Sequence, residues 1–286
     1  MINKNISEKE GQNIKMRLLT AAIGIPLLVL LLFYSYTIAW DFAITLLSLI
    51  GTYEILSCVG MKNHIGLSVP SLIYSVVLPL FTQNSYKFLY NCTIIYVLVI
   101  LFAGVISKKQ YPTRDISLAI AMTIYVVNAF TALIMIRSLD KIGLYVCILV
   151  FVGAWMTDTF AYFCGRLFGK HKLIPEISPK KTFEGALGGI IFCVLAFWAY
   201  GAILTNLRGD IEFNLFGMLF TGLITSVVAQ FGDLLASAIK RNFGSKDYGM
   251  IFPGHGGVLD RFDSILTVAP FLLAITSRSD LFYLFK

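Results

Sequence analysis

Nine stretches of this 286-residue chain run with almost no charge, at about 17–36, 38–59, 66–83, 87–106, 116–136, 143–163, 184–205, 213–239 and 263–277. Each reaches or approaches the roughly 20 apolar residues that carry a helix across a bilayer. In hydrocarbon the backbone has no water to bond to, and a helix satisfies its own N–H and C=O groups. Composition agrees: 57% of residues are hydrophobic and 14% charged, against about half and a quarter in soluble domains. The expected fold class is an all-α integral membrane protein, a polytopic bundle of about nine transmembrane helices forming a single membrane domain over residues 1–286. The last run is short and continues into "DLFYLF". Residues 1–16 are polar, and the apolar run after them lacks a small-residue cleavage site, so it reads as a first span rather than a removed signal.

Net charge is +7, and its placement orients the chain. With the N-terminus in the cytoplasm and the spans alternating, 17 of the 23 Lys and Arg residues fall on the cytoplasmic side and 6 on the other. The bias of basic loops toward the cytoplasm favours this arrangement. The five cysteines, Cys58, Cys92, Cys147, Cys164 and Cys193, are odd in number, form no CxxC pair and lie in or beside apolar runs. They read as small core residues rather than a disulfide framework or zinc site.

The two halves differ in chemistry. Residues 1–150 are mainly hydrophobic spans; among their charges, Asp41 sits at a helix start, where a carboxylate is unremarkable. Glu54 lies inside a span, where a carboxylate is costly and points by default to function, yet it is close to the span's cytoplasmic end. Both readings stay open for it. Residues 151–286 carry two polar clusters on the cytoplasmic side, 155–189 and 230–264, and form the expected catalytic half.

The second cluster contains "SAIKRNFGSKDYGMIFPGHGGVLDRFDS", Ser237 to Ser264. Asp233, Ser237 and Lys240 are spaced i, i+4, i+7 and share one helix face at a span's end. An internal salt bridge or a solvated helix end explains that as simply as a site does. The continuation is more telling. "PGHGG" has turn composition, and its glycines let backbone N–H groups approach phosphate oxygens. His255, between glycines, is placed as a phosphate donor or proton shuttle. Asp260 and Asp263 are i, i+3 and share a face if helix has begun there. Carboxylates so close repel unless a cation lies between them. Such oxygens beside phosphate-binding groups suit Mg²⁺, with Asp233 completing the set. The plainer alternative is that both aspartates simply favour a helix start.

In the first cluster Asp158 and Tyr162 are i, i+4, and "GRLFGKHK" adds charge, including Arg166. "ISPKKTFEG" offers Ser178 as N-cap and Pro179 as first helical residue, with Lys180, Lys181 and Thr182 in the first turn. Cations are disfavoured there by the helix dipole, and a bound anion would resolve the conflict. Ordinary cytoplasmic positive charge is the alternative. Glu184 pairs with one of these lysines or reaches the metal.

At these residues the chain closely resembles the CDP-diacylglycerol synthase family, the phosphatidate cytidylyltransferases. Its signature runs S-x-x-K-R, four residues, K-D, then P-G-H-G-G-x-x-D-R-x-D. Ser237, Lys240, Arg241, Lys246, Asp247, Pro253, Gly254, His255, Gly256, Gly257, Asp260, Arg261 and Asp263 fill it without a gap. "DTFAYFCGRLFGKHKLIPEISPKKTFEGALGG" is similar to the family's upstream segment. The two segments cover about a quarter of the chain. One departure is Ser245, where the family more often carries an apolar residue.

The resemblance implies that CTP and phosphatidate give CDP-diacylglycerol and pyrophosphate with Mg²⁺ as cofactor, in phospholipid biosynthesis. It implies a multi-helix fold in a bacterial inner membrane, a homodimer, and no nucleic-acid partner. On that basis Asp233, Asp260 and Asp263 are expected to bind the metal, and Ser237 to orient Asp233 or bind phosphate. Lys240, Arg241, His255 and Arg261 are expected to hold the triphosphate or the lipid phosphate. Asp158, Tyr162, Arg166, Lys180, Lys181, Thr182, Glu184, Lys246, Gly256 and Gly257 are expected to bind substrate, with Lys180 and Lys181 serving the second phosphate partner. Two alternatives stand beside this: a cytidylyltransferase for another lipid phosphate, and a transporter of phosphorylated metabolites. A lipid kinase has no support from a P-loop GxxxxGK[ST].

Overall fold

The structure is a computed structural model that describes residues 24, 26–82, 85–107, 111–139, 141–207, 214–251, 256–276 and 284. A short helical segment at 26–33 precedes helix α1, Ile38–Cys58. Then follow α2 (Ile65–Phe81), α3 (Tyr86–Ile106), α4 (Thr113–Arg137) and α5 (Gly143–Phe168). Strands β1 (Lys172–Ile174) and β2 (Ser178–Thr182) come next, and then α6 (Phe183–Leu207), α7 (Leu215–Asn242), α8 (Leu259–Phe262) and α9 (Ile265–Thr276).

Six of these helices, α1, α3, α4, α5, α6 and α7, are long and apolar enough to cross a membrane. The expected count of about nine spans is not confirmed. Two further helices are apolar but shorter among the described residues, α2 with 17 residues and α9 with 12. At 1.5 Å per residue they cover about 25 and 18 Å of a hydrocarbon core of about 30 Å. Of the expected first span, 17–36, residues 17–23 and 25 lie outside the described residues, and 26–33 are helical.

The chain forms two compact units, Met1–Val127 with Phe243–Phe262, and Asn128–Asn242 with Asp263–Lys286. In the first unit, α1 packs on α2 and α2 on α3. The rings of Tyr74 and Tyr96 stack with centroids 4.4 Å apart. The Tyr74 hydroxyl lies 2.8 Å from Thr93 Oγ1, and the Tyr96 hydroxyl donates to the carbonyl of Ala119 at 3.0 Å, joining α3 to α4. These two hydroxyls thus find partners on neighbouring helices, which offsets the cost of burying them.

In the second unit, α6 packs against α5 on one side and α7 on the other. Gly185, Gly188 and Gly189 are buried on α6, and a Cβ at each would strike Ala161 O, Cys164 or Thr157 O of α5. Small residues at this interface let the two backbones approach closely. Polar links tie α7 to both helices: Thr157 Oγ1 of α5 donates to Ser226 Oγ of α7 at 3.0 Å, and Gln230 Nε2 of α7 donates to Ala186 O of α6 at 3.2 Å. Helix α9 is tied to α7 by Thr267 Oγ1, which donates to Val228 O at 3.1 Å.

The polar segment between α5 and α6 is a two-stranded antiparallel hairpin, with Lys172 opposite Thr182 and Ile174 opposite Ser178. This corrects the expected helix start. Ser178 is not an N-cap and Pro179 is not the first helical residue; Lys180, Lys181 and Thr182 lie on β2. A two-stranded ribbon has only edge strands, where proline's missing N–H is tolerated. The helix begins at Phe183 instead, with the Thr182 side chain accepting from Gly185 N at 3.1 Å. That is the N-cap to N3 bond of an ordinary helix start, four residues later than Ser178.

Candidate active site

Within the second unit, α5, the hairpin, α6 and α7 enclose a cavity of about 260 Å³. Helix α5 contributes Asp158, Tyr162 and Arg166, β2 contributes Lys180, Lys181 and Thr182, and α7 contributes Gln230 and Asp233. Leu173, Gly185 and Ala186 complete much of the wall. Seven residues singled out in the sequence therefore meet here. Asp158, Tyr162 and Arg166 do so because i, i+4, i+8 spacing stacks them on one face of α5.

Electrostatics organise this cavity. Lys181 Nζ lies 2.6 Å from Asp233 Oδ2, with both side chains about three-quarters buried. Asp158, Asp233 and Asp263 are close enough for their charges to repel one another. Ser264 is linked to two of them: its hydroxyl donates to Asp158 Oδ2 at 3.0 Å, and its N–H donates to Asp263 Oδ1 at 2.9 Å. Ser237 Oγ donates to Asp233 Oδ1 at 3.5 Å, a long bond between residues one helical turn apart. Lys240 also acts on the charge of Asp263. The result is a group of carboxylates interleaved with ammonium groups.

Glu184 departs from expectation. Its carboxylate lies 2.6 Å from His171 Nδ1 and accepts from the N–H groups of Lys170 and His171 at 3.1 and 3.3 Å. Its partner is thus the segment entering β1 and not Lys180 or Lys181. Gly169 carries the chain sharply out of α5, which brings 170–171 back over the start of α6.

The signature loop belongs to the first unit. Asp260 Oδ2 accepts from Tyr248 N at 2.8 Å and Gly257 N at 2.9 Å. The Gly257 N–H expected to face phosphate is thereby committed to Asp260. Gly256 has φ +82°, a left-handed conformation that glycine adopts without strain. Asp260 and Asp263 do not share a helix face, because α8 ends at Phe262 and Asp263 lies in the turn beyond it. Glu54 is buried at the end of α1 and accepts from Val258 N and Leu259 N, both at 2.9 Å. Arg241, Lys246 and Arg261 are exposed. His255, with Pro253 and Gly254, lies outside the described residues.

Among the described residues no group of three or more His, Cys, Asp or Glu side chains is arranged to cage a metal ion. The donor chemistry nonetheless fits Mg²⁺, which retains several waters and needs only one or two carboxylates besides substrate phosphates. The nearby candidates are all carboxylate oxygens, without sulfur or imidazole. Sequence reasoning missed Gln230, Ser264 and His171. None carries a sequence signal stronger than a polar residue near a span, and only the packing of α5, α6, α7 and α9 reveals their partners.

Fold and cavity together define a polytopic helical membrane protein with a charged, phosphate-suited pocket at the ends of its spans. Residues 15–278 match the model of the Cytidylyltransferase family. A phosphatidate cytidylyltransferase of Staphylococcus epidermidis is 36% identical over 264 residues, covering 90% of this chain and 97% of its own. That of Bacillus subtilis is 35% identical over 272 residues, covering 91% and 96%. That of Staphylococcus aureus is 36% identical over 271 residues, covering 93% and 100%. This chain belongs to the Cytidylyltransferase family.

Proposed function

We propose that the protein is a phosphatidate cytidylyltransferase of a bacterial membrane, joining CTP and phosphatidate to give CDP-diacylglycerol and pyrophosphate. The observation that carries this reading is the name shared by relatives that match nearly the whole chain. The charged cavity of α5, β2 and α7 supports it by supplying cations for phosphates and carboxylates for a hard metal ion.

In the proposed reaction a phosphate oxygen of phosphatidate attacks the α-phosphorus of CTP in line. A new P–O bond forms as the bond to the β-phosphate oxygen breaks, and pyrophosphate leaves with the electron pair. The nucleophile is already anionic and needs little help from a base, so positioning and charge neutralisation dominate. Lys180, Lys181 and Arg166 line the cavity and bind phosphate oxygens there. Ser237 orients Asp233. Lys240, Arg241 and Arg261 add cations toward the triphosphate. Mg²⁺, held by Asp233, Asp263 and Asp260, would supply charge neutralisation at the phosphates. The catalytic chemistry is assigned to the half from residue 151 onward, the N-terminus to the cytoplasm and the working form to a homodimer.

The test is turnover by purified protein in detergent with phosphatidate and each nucleoside triphosphate, scoring liponucleotide and pyrophosphate together. CTP with Mg²⁺ is expected to give both products in equal amounts, and chelation to stop their formation. Pyrophosphate without liponucleotide, or no product from CTP, would refute the reading.

A further inference from the structure

We infer that Glu54, on a helix far from the polar clusters in sequence, is a positioning residue that holds the turn carrying Asp260. The inference deepens the proposed function and rests on it for Asp260's role.

Glu54 is 3% exposed and sits four residues before the end of α1. Each of its carboxylate oxygens accepts one backbone N–H, Oε1 from Val258 and Oε2 from Leu259, across more than 200 residues of chain. These donors open α8, where the first N–H groups of any helix lack internal partners. The fork of two N–H groups matches the two oxygens of a carboxylate; a glutamine offers one acceptor and a second pair of donors.

The loop is built to admit this side chain. A Cβ on Gly249 or on Gly257 would collide with Glu54 Oε1. Backbone from two sides, Gly249 before the turn and Gly257 within it, therefore closes on the carboxyl group. Asp260 grips the same turn from its other side, accepting from Tyr248 and Gly257. Consecutive N–H groups at 257, 258 and 259 are thus shared between two carboxylates. Both negative charges stand near each other, and the four N–H donors offset that repulsion. A buried carboxylate inside an apolar span is costly and persists where something requires it. Here it fixes the backbone from which Asp260 projects. The orientation of Asp260 depends on Glu54, although Glu54 touches no substrate.

The test uses full-length Glu54→Gln and Gly257→Ala proteins in detergent, read by hydrogen exchange and by kinetics. Glu54→Gln keeps size and shape but removes one acceptor. Exchange at the Val258 and Leu259 amides is expected to rise at least tenfold, with protection in α5, α6 and α7 unchanged. At saturating CTP and phosphatidate, kcat is expected to fall at least tenfold, and the Mg²⁺ concentration for half activity to rise at least threefold. Gly257→Ala is expected to reproduce both effects by pushing the carboxyl group aside. Wild-type kcat in Glu54→Gln, unchanged exchange at Val258 and Leu259, or protection lost throughout the helices would each overturn the inference. An inactive wild-type protein would instead overturn the proposed function, and the positioning role with it, while exchange in Glu54→Gln would still report the anchor.

Discussion

Removing the ammonium of Lys181 leaves Asp233 facing two other carboxylates without its counter-charge. The pair is 2.6 Å apart, with side chains 24% and 28% exposed. An exposed ion pair contributes about 0–1 kcal/mol, and removing one partner of a fully buried pair costs about 3–5 kcal/mol. Partial burial places this pair between the two, at about 1.5–2 kcal/mol. At about 2–4 °C per kcal/mol for chains near this size, Lys181→Gln lowers the apparent Tm in detergent by about 3–8 °C. Asp233→Asn loses the same ion pair but also relieves repulsion from Asp158 and Asp263, so its Tm falls less. The double variant, with neither charge, is expected to unfold close to Asp233→Asn alone. Stability is thereby recovered while activity stays lost, which separates the pair's structural contribution from its catalytic one. Thermal unfolding of the four proteins, followed by tryptophan fluorescence under one scan rate, makes the comparison. An unchanged Tm in Lys181→Gln, or a double variant whose loss equals the sum of the two single losses, would refute the coupling.

Three further outcomes follow from single contacts. Thr182→Ala removes the acceptor for Gly185 N and is expected to cost about 1 kcal/mol, read as a lower Tm. Gly256→Ala forces a left-handed backbone on alanine and sets its Cβ about 2.7 Å from Asp260 Oδ2; activity should collapse while circular dichroism keeps its helical signal, and normal turnover would remove Gly256 from the site. In a cysteine-free background, the exposed positions Glu176→Cys and Asp247→Cys should react with an impermeant thiol reagent in inside-out vesicles and stay unlabelled in intact cells. Labelling of either in intact cells would reverse the assigned orientation.

The long apolar runs determined most of the fold without tertiary information. From α1 through α7 the expected spans and the observed helices coincide to within about five residues, because a helix in hydrocarbon satisfies its backbone locally. The same local rule makes i, i+4, i+8 spacing sufficient to put Asp158, Tyr162 and Arg166 on one wall. The stretch 178–182 was not legible in this way. Its Ser-Pro opening is an acceptable helix start, and only pairing with 172–174 made it a strand and moved the cap to Thr182. Glu54 was visible as a carboxylate in a span, but its meaning depended on two N–H groups more than 200 residues away. Glu184 likewise had lysines nearer in sequence, yet the reversal after Gly169 delivered His171. Helical periodicity acts over a turn or two and can be read along the chain. Ion pairs and carboxylate anchors depend on which distant segments meet, and that is decided by the packing of α5, α6 and α7 in one unit and by the meeting of Gly249 and 257–259 with Glu54 of α1 in the other.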